Sequence, residues 1–236
     1  MQSFFYHFQF FALVRPLLKI FPQRRIQPEL LDHAPAAVAS ENLADLVRIN
    51  RRFGGHSSIR KTLDLVVKRH ERFTLLDIGA ASGDSARVIQ KYYTAASVTS
   101  LDNNLVNLGG AGQPKLIADA FALPFKPGSF DFVFSSLFLH HFTDDQVTRL
   151  LASFHAVARR ALVICDLERH IAPYLFLPAT QRLFRWGKIT VHDGVVSVRA
   201  AFRPCELLGL SKKAGIENAE VHAYRPAFRI GLVARK

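Results

Sequence analysis

Cysteine is scarce in this chain, and no apolar run is long enough to cross a bilayer. Cys165 and Cys205 are its two cysteines, which excludes a disulfide framework and suits a reducing compartment. A spanning helix needs roughly 20 consecutive apolar residues, and the phenylalanine-rich stretch 1–21 is broken by His7, Gln9, Arg15 and Lys19. That stretch also lacks a basic start and a small-residue cleavage site, so a secretory signal is not expected. Repeats and low-complexity tracts are absent. So is the interleaved aromatic and basic pattern of RNA-binding modules, although the net charge is +12. The basic residues are dispersed, with short clusters such as Arg24-Arg25 and Arg159-Arg160. They read as a basic surface, and no nucleic-acid partner is expected.

The composition is that of a globular domain: 236 residues, 49% apolar and 21% charged, enough for a substantial core. In residues 1–21, Phe4, Phe8, Phe11 and Leu18 share a helical face. The reading is core packing or a lid over a site, with peripheral contact to a membrane surface as the second option. The expected location is cytoplasmic, or membrane-peripheral through this segment. Residues 22–42 read as a connection. Leu43 to Phe53 has helical spacing and stops at Gly54-Gly55, and Ile59, Leu63 and Val67 mark the next helix.

From there the pattern alternates. Strands are expected at Thr74–Ile78, Ser97–Leu101, Lys115–Ala118, Phe130–Ser135 and Ala161–Asp166, then at Glu220–Tyr224 and Phe228–Ala234. Helices fall between them, at Asp84–Tyr93, after the capping box Thr143-Asp144-Asp145-Gln146, and at Pro204–Ala214. Alternation implies an α/β three-layer sandwich: a seven-stranded, mostly parallel Rossmann-like sheet with its last strand antiparallel. We divide the chain into an N-terminal helical lid or substrate cap, 1–70, and a core, 71–236, with residues 168–202 inserted after strand 5 as a further cap. His192-Asp193 reads as a turn within that insertion.

In such a sheet, ligands bind beyond the carboxyl ends of the strands. Asp77 and the turn Gly79-Ala80-Ala81-Ser82-Gly83 follow strand 1, and small residues let the backbone approach a ligand there. Asp102, with Asn103 beside it, ends strand 2, where a carboxylate can accept from two ribose hydroxyls. Asp119-Ala120-Phe121 follows strand 3, placed to meet an adenine amine, and Ser135 ends strand 4. A dinucleotide site wants G-x-G-x-x-G for a pyrophosphate. Here an acid precedes glycines at 79 and 83, which repels a phosphate and attracts an amine. S-adenosylmethionine, with adenosine, an α-amino group and no phosphate, fits those charges.

These motifs resemble those of class I S-adenosylmethionine-dependent methyltransferases, in order from Leu75 to Lys236: Leu-Leu-Asp77-Ile-Gly79-Ala-Ala81-Ser-Gly83, then Asp102, Asp119-Ala120, Phe121-Ala-Leu-Pro124-Phe125 with Gly128-Ser-Phe130-Asp131, and Ser135-Ser-Leu-Phe-Leu-His140-His141-Phe142. The family's usual middle glycine is Ala81. The resemblance implies S-adenosylmethionine as cofactor and S-adenosylhomocysteine as product. Leu46-Val-Arg-Ile-Asn50-Arg51-Arg52-Phe53-Gly54-Gly55 and Asp193-Gly194-Val-Val-Ser197-Val-Arg199-Ala-Ala-Phe202 are similar to a bacterial family associated with type III polyketide synthases and flavin oxidoreductases. That narrower likeness implies an aromatic or polyketide-like hydroxyl acceptor.

His140 and His141 are the candidate bases, because imidazole titrates near neutral pH, and His140 also resembles a catalytic histidine of small phosphobase methyltransferases. Asn50, Arg51, Arg169 and His170 are candidates for contact with the acceptor, Arg169 as a partner for an anionic acceptor or, the preferred reading, simply for an acid at the protein's surface. No metal is expected: catechol methyltransferases carry an acid where this chain has Ser135 and Ser136. The Asn/Asp-Pro-Pro-Tyr-like motif of base-amino methyltransferases is missing. O-methylation of an apolar, aromatic or lipid-like small molecule is the leading expectation. Methylation of carbon, nitrogen or RNA, and a non-catalytic cofactor-binding partner protein, are the alternatives.

Overall fold

The computed structural model describes residues 23–33, 36–105, 107–112 and 114–236. The lid or anchor expected at residues 1–21 lies outside them. A 3-10 turn, Leu30–His33, precedes helix α1, Ala36–Arg52, and α2, Gly55–Leu63. The core then runs β1 (Phe73–Ile78), α3 (Asp84–Tyr92), β2 (Ala96–Asp102), β3 (Lys115–Ile117), β4 (Phe130–Ser136), α4 (Asp144–Val157) and β5 (Ala158–Leu167). Helices α5 (Ile171–Phe184), α6 (Lys188–Ala200) and α7 (Pro204–Lys213) lead to β6 (Ala219–Tyr224) and β7 (Arg229–Arg235).

The strands form one seven-stranded sheet in the order β3-β2-β1-β4-β5-β7-β6. All pairs are parallel except those made by β7, which runs antiparallel to both neighbours. The order reverses between β1 and β4, the switch point where such sheets bind ligands.

Burial explains why β1 and β4 read as apolar runs: both faces are covered. On one face Leu76, Val133 and Leu162 pack with Leu151 and Phe154 of α4 and Leu207 of α7. On the other, Leu75, Phe132 and Val163 pack with Leu63 of α2 and Ile89 of α3. The charge buried between strands is compensated. Asp131 accepts from Thr74 N (2.9 Å) and Thr74 Oγ1 (3.1 Å), and Arg159 donates to it at 2.5 Å. The capping box forms as expected, with Gln146 N donating to Thr143 Oγ1 and Thr143 N to Gln146 Oε1.

Two expectations differ. The stretch 22–42 was to be a connection, but α1 starts at Ala36, because Ala36, Ala37 and Ala39 favour a helix. The stretch 168–202 is a helical hairpin, so His192-Asp193 sits inside α6 rather than in a turn. Asp193 there accepts from Leu30 N (2.9 Å) and Leu31 N (3.0 Å), docking the segment before α1 onto the hairpin.

Candidate active site

The turn after β1 is held open by backbone that only small residues tolerate. Gly79 has φ +71°, Ala81 +42° and Gly83 +73°. A Cβ on Gly79 would lie 2.4 Å from the Phe138 ring. The backbone N–H groups of Gly79 and Ala80 donate to Leu101 O, at 2.9 and 3.0 Å. Asp102 accepts from Ala81 N and Asn104 N, each at 3.0 Å. The acid of β2 thus fixes the turn of β1.

Three carboxyls surround that turn. Asp84 heads α3 and pairs with His56 at 2.8 Å. Asp77 lies beneath the turn, and its Oδ2 has no hydrogen-bond partner. Burial pushes the Asp77 carboxyl up to about 8, and the charges of Asp102 and Asp84 add to the shift. A buried acid left short of a partner suits a cation, and the concentration of acids disfavours phosphate.

A cavity of about 540 Å³ runs from this turn across the end of β4 to the helical cap. That is room for a small-molecule ligand. Gly79, Ser82, Asp102 and Asn103 line one end, and Leu46, Phe53, Phe176, Leu177 and Val198 line the other. Its wall at the cap is apolar and partly aromatic: Phe53 meets Phe176 edge-on, ring centroids 4.7 Å apart.

His140 and His141 sit between the two ends, on the 3-10 turn Leu139–His141 after β4. Nδ1 of His140 lies 2.7 Å from Oδ1 of Asp166 near the end of β5. A carboxylate only accepts, so Nδ1 carries the hydrogen of that bond and Nε2 is the ring nitrogen on the other side, toward Glu29. Nε2 lies 3.9 Å from Glu29 Oε1. Glu29 accepts in turn from Ser197 of α6. Burial alone would lower the pKa of His140, but Asp166, by charge and hydrogen bond, and then Glu29 raise it to about 9. Burial works on Asp166 in the other direction, and His140 holds that carboxyl below its ordinary range.

Arg24 braces the histidine turn from outside. Its Nη2 donates to Phe142 O (2.9 Å) and His140 O (3.3 Å), its Nε donates to Ala200 O (2.7 Å), and the guanidinium lies 3.9 Å above the Phe202 ring. Sequence reading missed Glu29, Arg24 and the role of Asp166 as the partner of His140, because they come together only through the fold.

The other sequence candidates divide. Gly79, Ala81, Asp102, Asn103, Asn50, His140 and His141 line the cavity. Asp77, Gly83, Asp119, Ala120, Phe121 and Ser135 are not on its wall. Gly83 supports the turn from behind, where a Cβ would lie 2.8 Å from Ala111. Exposed Asp119 accepts from Phe121 N at 2.9 Å, while Ala120 and Phe121 pack into the core beside it. Ser135 is buried and donates to Ile78 O at 2.8 Å, a bond between neighbouring strands. Arg51 is exposed on α1, away from the cavity. Arg169 is buried and donates to Ala201 O (2.7 Å) and Glu206 (2.5 Å), so its charge ties β5 to α7. His170 caps α5, its Nδ1 accepting from Ala172 N at 3.1 Å, and stacks on Phe228.

Glu29, His140 and His141 each offer a ligand atom, all within 4.8 Å of one another.

Comparison with known proteins agrees with the fold. Residues 76–164 match the family described as "Methyltransferase domain". A comparison with curated proteins returns no match. Among solved structures, a SAM-dependent methyltransferase from Aquifex aeolicus is 17% identical, with 75% of this chain and 88% of that one aligned and a TM-score of 0.56. The plantazolicin methyltransferase BpumL, in complex with SAH, is 13% identical over 85% of this chain and 89% of its own, TM-score 0.63. Human N-acetylserotonin methyltransferase, in complex with SAM, is 18% identical over 78% of this chain and 52% of its own, TM-score 0.56.

Proposed function

We propose that this chain, which carries a class I S-adenosylmethionine-dependent methyltransferase domain, methylates a hydroxyl on an apolar, aromatic small molecule, with His140 as the base. The observation that carries this reading is the Asp166–His140 pair facing a cavity that reaches from the acidic turn to an apolar cap. S-adenosylmethionine supplies an electrophilic methyl group on a sulfonium. At the acidic turn, Asp77 and Asp84 favour the cationic part of such a molecule, Asp102 and Asn103 present polar groups for the ribose, and Gly79 and Ala81 keep the floor open. Asp119 and Phe121, which lie off the cavity wall, would serve the adenine in this reading.

The apolar wall formed by Leu46, Phe53, Phe176 and Leu177 excludes water and orients a ring. Methyl transfer to a hydroxyl releases one proton, and Nε2 of His140 receives it. Asp166 then stabilises the imidazolium, and Arg24 keeps the turn from drifting. Such general-base assistance is worth roughly 10²–10⁴-fold. In the free protein His140 holds a proton up to about pH 9. A sulfonium in the same cavity opposes that charge, so turnover should rise with pH through an inflection at or below about 9.

The test is transfer of a labelled methyl group from S-adenosylmethionine to a panel of hydroxyarenes, each paired with its O-blocked ether. Labelling of the free hydroxyl compounds alone supports the reading. Labelling of the ethers at carbon, or of added RNA, would replace it. For residues 1–21, flotation with anionic liposomes, comparing the full chain with a version lacking them, decides whether the chain also meets a membrane surface.

A further inference from the structure

The cavity holds a second buried charge with no direct ion pair among the described residues. Arg229 opens β7 opposite Leu167, at the carboxyl edge of β5, and lines the cavity with 8% of its surface exposed. Its guanidinium donates only to neutral oxygens: Nη2 to Asn50 Oδ1 at 3.2 Å and Nη1 to Ala227 O at 3.4 Å. Among the described residues, no carboxylate lies within ion-pair distance of it. The contrast with Arg169 is direct, because that arginine, equally buried, is paired with Glu206 at 2.5 Å.

Burying an unpaired guanidinium is costly, and proteins compensate such charges. Burial lowers the pKa of Arg229 to about 10, against the charge of Asp166, which acts on it without a direct ion pair, so it stays charged at neutral pH. A guanidinium has five N–H donors in a flat fork that matches a carboxylate, and two long bonds to neutral oxygens leave that fork under-used. Asn50 holds it in place from the end of α1. The packing around them is close: a Cβ on Gly55 would lie 2.5 Å from Asn50 Oδ1, and one on Gly54 2.5 Å from the Ala227 Cβ.

We propose that Arg229, positioned by Asn50, is a carboxylate anchor inside the cavity. The carboxylate comes either from the amino-acid end of the cofactor or from the acceptor, and the chemistry of recognition is the same. This rests on the reading of the cavity as a cofactor and acceptor site.

Isothermal titration of the full chain decides it, comparing wild type, Arg229→Gln, Arg229→Lys and Asn50→Ala. The probes are S-adenosylhomocysteine, 5′-methylthioadenosine, which lacks the amino-acid portion, and 2-naphthoate beside its neutral amide in the presence of S-adenosylhomocysteine. Arg229→Gln should weaken one carboxylate probe at least tenfold, leaving 5′-methylthioadenosine and the amide unchanged. Loss of S-adenosylhomocysteine identifies the cofactor's carboxylate, and loss of 2-naphthoate alone identifies the acceptor's. Arg229→Lys should recover part of the loss, and Asn50→Ala should show a smaller one. Unchanged affinity for both carboxylate probes would overturn the proposal, as would an equal loss of 5′-methylthioadenosine, which marks a purely structural role. Failure of 5′-methylthioadenosine to bind the wild type would count against the cofactor reading instead.

Discussion

The two ends of the cavity are built on different principles. The end proposed for the cofactor is local: Gly79, Ala81 and Asp84 line it, Asp77 and Gly83 support it from behind, all from one stretch of chain, and Asp102 joins them through the adjacent strand. The end proposed for the acceptor is assembled from afar. Glu29 meets Ser197 across 168 positions, and His140 meets Asp166. A turn and its acids can be inherited as a unit, while the acceptor end depends on how α1, α5 and α6 pack. Substitutions at the two ends should therefore separate binding of the cofactor from turnover.

The largest effect is expected at the dyad. His140→Ala should lower kcat about 10²-fold or more on whichever hydroxyarene the protein accepts, with S-adenosylhomocysteine affinity kept. Asp166→Asn should lose less and flatten the pH dependence. Steady-state kinetics of both variants would break the comparison if affinity for the cofactor fell as far as turnover.

Next comes the turn itself. Gly79→Ala places a methyl group against Phe138 at a left-handed φ of +71°, where an alanine costs about 1–2 kcal/mol before any clash. S-adenosylhomocysteine affinity should fall at least tenfold by calorimetry. Wild-type affinity would mean that the turn does not meet the cofactor.

A smaller effect follows from Asp77, whose carboxyl is pushed up to about 8. If the ionised form holds the ammonium, affinity for S-adenosylmethionine rises with pH and levels off above 8. The expected gain between pH 7 and 8 is about fivefold for one group of that pKa, with a proton released on binding. Asp77→Asn should abolish the slope.

The smallest effect is on stability. His140 has its pKa raised from 6.5 to about 9, so its contribution is complete below about pH 6.5 and is lost as pH rises through 9. Asp77, raised as well, is lost in the same direction as pH rises toward 8. The free protein should therefore become less stable to urea from neutral to alkaline pH. His140→Gln should remove the upper part of that slope, and an unchanged slope would mean that the pair is not coupled as described.

The contrast also explains what could be read from the sequence. The strands and the turn were legible because their signals are local: apolar runs, acids at or just after the ends of β1, β2, β3 and β5, glycines at 79 and 83. The capping box at Thr143 was legible for the same reason. The helical hairpin at α5 and α6 was not, because Pro173, Pro178 and Gly187 interrupt the helical pattern, and Pro178 sits inside a helix that tertiary packing maintains. Arg169 stood out as an arginine after a strand that would pair with an acid, but which acid was not legible, because Glu206 lies 37 positions along the chain. Arg229 gave a signal that went unused: a charged residue beside the apolar run Ile230 to Ala234 of a buried strand is rarely there without a partner.

One cavity with two separable ends serves both proposed ligands. The most direct test is calorimetric titration of S-adenosylhomocysteine into wild type, Asp102→Ala and His140→Ala. The expected result is binding to the wild type, at least tenfold weaker binding to Asp102→Ala, and unchanged binding to His140→Ala. No binding to the wild type, or an equal loss in both variants, would contradict it.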